Sequence, residues 1–235
     1  MALFATGAAK PRSVSVEVTF LRAPQPNRVP LYFDLPHEIH SRGSICLITP
    51  APQRQYKEEL ETKQADQSVS KVMDVVKLNA KYTNAVARRA LAKAFDVFFV
   101  HSDVKEYPQL LTGEFLTRQT PVWMDSKPGD LVDRIARTKC RAVCPRRGYD
   151  NCSIAVGDAD MSVEQIEANV QALLDGLAAE LDGGWKDILS VRVSASNKAG
   201  QRVALPVYAH DFSESAGFAA VESTPEKKAG KKRTR

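Results

Sequence analysis

The middle of the sequence contains two short apolar runs without alternation, and they limit the possible folds more than any other feature. Ile45-Cys-Leu-Ile48 and Asp96-Val-Phe-Phe-Val100 are typical of strands that are buried on both faces of a parallel sheet. The segments that alternate with them are helical patterns over 56–63, 78–95 and 104–111 and a strand over 121–124. This alternation predicts a separate α/β domain over residues 44–125.

The flanking segments carry strand patterns of a different kind. Residues 14–20 alternate apolar with polar side chains, which predicts a strand with one buried and one solvated face. We expect a strand over 31–37 to follow the proline loop and to pair with the first as a hairpin. Strands over 140–144 and 152–156, with a turn between them, are also expected to pair antiparallel.

One long helix is predicted in the last third of the chain. Ser162 and Gln165 have the spacing of a capping box. The apolar positions that predict a single buried face are Val163, Ile166, Val170, Leu173, Leu174, Leu177 and Leu181. We expect the helix to end at Gly183-Gly184 and strands to follow over 191–196 and 203–208.

The positive charge of the chain is concentrated at its end. The formal net charge is +5, but six basic residues lie in the last nine positions, so the rest of the chain carries a net charge of −1. These residues are Lys227, Lys228, Lys231, Lys232, Arg233 and Arg235. The pattern predicts a nuclear import signal or a loose RNA tether, with a solubilising disordered end as the alternative.

Several classes of protein are disfavoured by the sequence. No apolar run approaches the ~18 to 20 residues of a membrane span, and we expect no secretory signal, so the four cysteines are expected to be free thiols. Their spacing lacks an evident fourth metal ligand. No glycine-rich phosphate loop, nucleophile elbow or dinucleotide fingerprint is present. We therefore expect no enzyme activity, no metal and no cofactor.

The polar residues of two predicted strands form a candidate RNA-binding surface. In 191–196 they lie opposite the apolar residues, and pairing with the first strand would make a flat polar platform. Hydroxyl and amide groups suit RNA sugars and phosphates, and Arg and Lys neutralise phosphate. The candidates are Ser15, Glu17, Thr19, Arg192, Ser194, Ser196, Asn197, Lys198 and Arg202. A plain solvated sheet face is the alternative.

Two loops supply secondary candidates for phosphate contact, because loops project from a scaffold. Asn27 and Arg28 lie in the proline loop, and Arg146 and Arg147 lie in the turn after the strand over 140–144. For each of them, ordinary surface charge is the alternative.

Four segments occur in a distinctive order across most of the chain. They are Leu35-Pro-His37, Ala94-Phe-Asp-Val-Phe-Phe-Val100, Tyr107-Pro-Gln-Leu-Leu-Thr-Gly113 before Thr120-Pro-Val122, and Cys152 to Asn169 with Gly157, Met161 and Ile166. In residues and spacing they resemble the ribosomal protein L1 family, and its eukaryotic ribosome-biogenesis branch more closely, over 14–212.

The resemblance implies an α/β and α+β fold with two domains. Residues 1–40 and 127–212 would form a split α+β domain that carries the main rRNA surface. Residues 41–126 would form an inserted, Rossmann-like, three-layer α/β domain, joined to the first by a hinge, and 213–235 would be a basic, disordered tail.

Two positions depart from the family pattern. The RNA-contact loop of the family reads Thr-Met-Gly-Pro, whereas the aligned residues here are Ser196-Asn-Lys-Ala199. An aromatic residue of bacterial members aligns near Arg12, which is kept as a candidate RNA contact. These departures favour an assembly factor with a changed RNA preference over a ribosomal stalk protein.

The sequence thus leads us to expect a non-enzymatic rRNA-binding biogenesis factor that acts on pre-rRNA in the nucleolar small-subunit processome. We expect ribosome-assembly proteins as its partners, no membrane contact, and a monomer within a ribonucleoprotein particle. One alternative is a structural protein of the large-subunit stalk, in a cytosolic or organellar ribosome. Another is a protein-interaction scaffold with little RNA binding.

Overall fold

The computed structural model describes residues 13–27, 29–41, 43–63, 69–104, 120–158, 160–196 and 202–210. The strands are β1 (Ser13–Phe20), β2 (Leu31–Asp34), β3 (Ile45–Thr49), β4 (Lys71–Asp74), β5 (Val97–Val100), β6 (Val122–Trp123), β7 (Arg141–Cys144), β8 (Asn151–Asp158), β9 (Ile188–Ser196) and β10 (Arg202–Ala209). The helices are α1 (Gln53–Thr62), α2 (Val75–Lys81), α3 (Ala85–Ala94), α4 (Leu131–Lys139) and α5 (Val163–Glu180). Within these ranges, no helix has the length and apolar character needed to cross a membrane.

Strands from both ends of the chain form a four-stranded antiparallel sheet in the order β10-β9-β1-β8. In its centre, Val16 of β1 lies opposite Val193 on one side and Ile154 on the other. The apolar residues of β1 are buried on one face, against which helix α5 packs Leu173 and Leu177. The predicted alternation of this strand is confirmed.

The intervening residues form a parallel sheet in the order β4-β3-β5-β6. Helices α2 and α3 cover one face, where Leu78 and Leu91 pack against β3 and β5. Helices α1 and α4 cover the other face, where Leu60 and Ile135 pack with Leu47. All of β3 is buried between the helical layers, which explains why its sequence shows no polar alternation.

Both hairpins predicted from the sequence are wrong. β2 pairs antiparallel with β7, so that Phe33 lies opposite Ala142, and β8 pairs with β1 instead of β7. β8 and β9 occupy both edges of β1, so β2 is excluded from pairing with it. This leaves β2 and β7 to satisfy each other's backbone groups in a separate two-stranded sheet.

The single helix predicted over 78–95 is also wrong, because α2 and α3 replace it. Asn84 interrupts the helix and caps α3 by accepting a hydrogen bond from the Ala87 N–H at 2.7 Å. Asp74 caps α2 in the same way, accepting from the Lys77 N–H at 2.6 Å. Such side-chain bonds offer the backbone an alternative to a continuous helix.

The capping box of α5 is confirmed. Ser162 Oγ accepts from the Gln165 N–H at 3.3 Å, and Gln165 Oε1 accepts from the Ser162 N–H at 3.1 Å. Val163, predicted to be on the buried face, is instead 75% exposed. Its position is the first turn, whereas the packing of this helix against the core begins at Ile166.

Helix α4 was missed, although Leu131 and Ile135 have helical spacing and are buried against the parallel sheet. The short helix predicted over 104–111 falls, from residue 105 onward, outside the described residues. The domain boundaries at residues 40 and 126 stay a prediction.

Arg141 connects the two-stranded sheet to the end of the parallel sheet. Its Nε donates to Asp34 Oδ1 at 2.8 Å, and its Nη1 donates to the Trp123 carbonyl at 2.8 Å. The guanidinium also lies over the Tyr32 ring, 5.6 Å from its centroid. The hydrogen bond from Arg141 is the main reason that the pKa of the Asp34 carboxyl lies below its usual value.

Candidate nucleic-acid interface

The polar face of the antiparallel sheet lies on the side away from helix α5, because successive side chains of a strand point to opposite faces. The facing pairs of β1 and β9 on this side are Ser15 with Ser194, Glu17 with Arg192 and Thr19 with Ser190. This register brings together the platform candidates of the two strands. Arg202 joins them from β10.

A carboxylate lies between two arginines on this face. Glu17 Oε1 is 2.9 Å from Arg202 Nη2, and Glu17 Oε2 is 3.8 Å from Arg192 Nε. The side chains of Arg192 and Arg202 are 50% and 52% exposed, whereas that of Glu17 is 23% exposed. Since a guanidinium carries five N–H donors, both arginines keep donors for a phosphate after pairing with Glu17.

Ser194 does not face solvent, contrary to the prediction from its position on β9. It is 1% exposed, because Arg202 covers it. Arg202 Nε and Nη2 donate to Ser194 Oγ at 3.1 and 2.9 Å, and Ser194 Oγ donates to the Ser15 carbonyl at 3.4 Å. In this geometry Ser194 can position Arg202, but it cannot contact a ligand directly.

Ser153 of β8 was missed and belongs to the same face. It is exposed, and its Oγ accepts from Arg202 Nη2 at 2.9 Å. β8 aligns Ser153 with Glu17. The alternation of β8 could have indicated its position, because Ser153 and the buried Ile154 are neighbours in the strand and point to opposite faces of the sheet.

A cleft of about 570 Å³ adjoins this face along β8. Ser153 and Asn151 line it from the antiparallel sheet, and Asp96 and Thr120 line it from the parallel-sheet side. Arg147, a secondary candidate, also lines the cleft beside Tyr149, an aromatic residue that is 65% exposed. An exposed aromatic ring next to a guanidinium can stack on an unpaired base while the cation meets phosphate.

Two other loop candidates, Asn27 and Arg146, are engaged within the protein. Asn27 Oδ1 accepts from the Val29 N–H at 2.9 Å, and Arg146 Nε donates to the Val29 carbonyl at 3.1 Å. Gly148, at φ +77°, lets the turn approach Pro26 so closely that an added Cβ would lie 3.3 Å from the proline Cβ. Arg146 holds the two loops together, because its carbonyl also accepts from the Asn27 N–H at 3.0 Å.

His40, Cys144 and Cys152 are three of the titratable side chains that line the cleft. The ring of His40 packs edge-on against Phe99, and its Nε2 is buried with no hydrogen-bond partner among the described residues. Burial lowers the pKa of His40 to about 4. The thiols of Cys144 and Cys152 share a hydrogen bond at 3.1 Å. That bond lowers the pKa of Cys144 and raises that of Cys152.

Several candidates cannot be placed. Arg12, Arg28, Asn197, Lys198 and the basic tail lie outside the described residues, and of Ser196 only the backbone is described, opposite Arg202. In the described ranges, no group of three or more His, Cys, Asp or Glu side chains could hold a metal ion.

The sequence pattern of the ribosomal protein L1p/L10e family matches residues 6–198. The chain belongs to this family. Its mixed α and β content agrees with that assignment.

Curated relatives come from Schizosaccharomyces pombe. Two that are named as ribosome biogenesis proteins are 25% and 27% identical to this chain, over 75% and 72% of its length. The chain spans 63% and 46% of the length of these two proteins. The large ribosomal subunit protein uL1A is 28% identical over 69% of this chain and 72% of its own length.

Proposed function

We propose that this chain is a non-enzymatic rRNA-binding factor in ribosome biogenesis that acts on pre-rRNA. The observation that carries the proposal is the pair of half-exposed arginines, Arg192 and Arg202, beside a cleft that contains Arg147 and Tyr149. Guanidinium groups bind phosphate, hydroxyl groups meet the ribose 2′-OH, and an exposed ring stacks on a base. The names of the two biogenesis relatives support the same role.

We further propose the nucleolar small-subunit processome as the place of action, with assembly proteins as neighbours and a single copy of the chain in the particle. The support is the basic sequence of 227–235, whose composition is typical of import signals. Each Lys or Arg of the tail would also add salt-dependent affinity without sequence preference.

The proposed mechanism is positioning. Residues 1–40 and 127–212 would present the polar face, and residues 41–126 would form the inserted domain, with a hinge between them. Residues of both regions line the cleft, so a hinge motion would change the width of the cleft and hence its affinity for RNA. No step of this mechanism requires a reaction.

In-cell crosslinking to RNA, with sequencing of the attached fragments, tests the proposal. We expect pre-rRNA fragments that persist when residues 227–235 are removed and are strongly reduced in Arg192→Gln/Arg202→Gln. Arg54→Gln is the matched control, since Arg54 is 87% exposed on α1 and pairs only with Glu58 among the described residues. Absence of rRNA fragments in the full chain contradicts the proposal.

A second candidate function is that of a structural protein of the large subunit. The observation in its favour is the match to two such proteins, uL1A and uL1B, the latter 31% identical over 53% of this chain. The same crosslinking experiment separates the two functions, because a structural protein yields fragments of mature large-subunit rRNA and cofractionates with translating ribosomes.

A further inference from the structure

Strand β4 forms one edge of the parallel sheet. β3 is its partner on one side, and no described strand pairs with the other side. Because the backbone groups of a strand point alternately to its two sides, half of the N–H and C=O groups of β4 face outward. An edge of this kind can receive a further strand.

A groove of about 460 Å³ runs along this edge. Its floor includes the buried side chains of Val72 and Met73, together with Ala80 of α2. The groove is therefore apolar at its base and bordered by helix α1 on one side and helix α2 on the other.

Four lysines surround the groove: Lys57 of α1, Lys71 of β4, and Lys77 and Lys81 of α2. No acidic residue lines it, and among the described residues no carboxylate forms an ion pair with any of the four. The chain without its basic tail has a net charge of −1, so this cluster is a local positive site on a nearly neutral body.

We propose that the β4 groove binds an extended acidic segment of a partner protein, which adds a strand to the parallel sheet. The outward backbone groups of β4 would pair with the segment, and its side chains would alternate between the α1 side, with Val72 and Lys57, and the α2 side, with Met73 and Lys77. A peptide supplies the N–H and C=O groups, the apolar side chains and the carboxylates that this site requires. RNA supplies phosphate charge and ribose hydroxyls, but it has no backbone N–H and C=O groups at the spacing of a β-strand, which is why we favour a peptide over RNA.

Fluorescence anisotropy with a labelled peptide of alternating Glu and Val tests the proposal on the full chain. We expect saturable binding that weakens on the order of tenfold in Lys57→Glu/Lys77→Glu, because like charges then face the carboxylates. Lys127→Glu/Lys186→Glu is the matched control with the same change in net charge, and we expect less than a roughly twofold effect from it.

Two further probes separate strand addition from simple charge attraction. A peptide with N-methylated alternate residues keeps its charge but cannot pair along one edge, and we expect it to lose most of the affinity. Equal affinity for that peptide, or an equal effect of both double variants, overturns the proposal. So does a single-stranded RNA oligonucleotide whose binding depends on Lys57 and Lys77 while the acidic peptide does not bind.

Discussion

Glu17 is the residue that sets the electrostatics of the polar face. It pairs with Arg202 at 2.9 Å and lies 3.8 Å from Arg192, so a phosphate that approaches either guanidinium competes with a carboxylate. A carboxylate inside a surface that binds phosphate through arginines lowers the non-specific affinity of that surface for nucleic acid. It thereby favours ligands that offer further contacts, such as the 2′-OH groups of RNA.

Replacement of Glu17 by Gln is therefore expected to increase RNA affinity. The variant removes the competing charge while keeping a hydrogen-bond acceptor, and affinity for a random single-stranded RNA should rise on the order of threefold to tenfold at low salt. Filter binding over a series of salt concentrations measures this, and the salt dependence should steepen. Glu58→Gln, which removes the exposed partner of Arg54, is the control, and an equal gain in both variants contradicts the prediction.

His40 is expected to make stability depend on pH. Burial lowers its pKa from the ordinary 6.5 to about 4, so the unfolded chain takes up a proton at a higher pH than the folded chain. Stability is therefore fully present above pH 6.5 and falls as the pH drops from 6.5 towards 4, by about 3 kcal/mol at most for this residue. Urea unfolding at a series of pH values measures the loss.

The variant His40→Gln isolates this contribution, since glutamine does not titrate. We expect a smaller fall in the free energy of unfolding between pH 6.5 and 4 than in the wild type. The pH dependence of the free energy of unfolding that remains includes a contribution from His101, whose pKa is lowered by burial and by Arg134. An unchanged slope contradicts the prediction, because it shows that folding does not lower the pKa of His40.

At the scale of secondary-structure elements, Asn169 connects helix α5 to two other segments. It is fully buried. Its Oδ1 accepts from the His37 N–H at 3.0 Å, and its Nδ2 donates to the Val156 carbonyl at 2.9 Å and the His37 carbonyl at 3.3 Å. The side chain thus ties the helix to β8 and to the loop after β2.

Replacement of Asn169 by Ala is expected to destabilise the protein by about 2 to 4 kcal/mol, because buried backbone groups at His37 and Val156 lose their partner. Chemical denaturation with circular dichroism measures the change. Asn79→Ala on the exposed surface of α2 is the control and should stay within about 0.5 kcal/mol. Equal stability of the two variants would mean that water replaces the lost bonds.

Elements with a local signal were predictable from the sequence, whereas their partners were not. The alternation of β1, the continuous apolar run of β3 and the capping box of α5 each follow from adjacent residues. The pairing of β2 with β7 depends on which edges β8 and β9 leave open, and this is a property of the whole sheet.

In the candidate site, too, features set by adjacent residues could be predicted, whereas features set by residues distant in sequence could not. Strand alternation predicted that Glu17 and Arg192 lie on polar faces, but not the register that places them opposite each other. The burial of Ser194 did not, because the covering side chain, Arg202, comes from another strand and its reach depends on side-chain torsions. Ser153 was overlooked because β8 was assigned to a hairpin with β7.

At the scale of the molecule, Arg141 joins the two-stranded sheet to the parallel sheet. Its side chain is only 12% exposed, whereas that of Asp34 is 55% exposed, so solvent reaches the bond to Asp34 and the bond to the Trp123 carbonyl is the more shielded of the two.

We expect Arg141→Gln to lower the free energy of unfolding by about 2 kcal/mol at neutral pH. The pKa of Asp34 is lowered in the folded state, so the part of this loss due to Asp34 should disappear as the pH falls below the ordinary carboxyl value, 3.8. Denaturation of both proteins at pH 7 and pH 3 measures this, with Arg54→Gln as the exposed control, expected to cost under about 0.5 kcal/mol. A pH-independent difference contradicts the assigned role of Asp34.

The central position of β1 between β8 and β9 also affects how the protein is made. During translation β1 emerges before the other described strands, and its apolar side chains lack their strand partners until residues 151–158 and 188–196 have been synthesised. The parallel sheet, with partners nearer in sequence, can form earlier. The polar face proposed to bind RNA is consequently completed late, and a chain released before β9 lacks Arg192 and Arg202, the two arginines of that face.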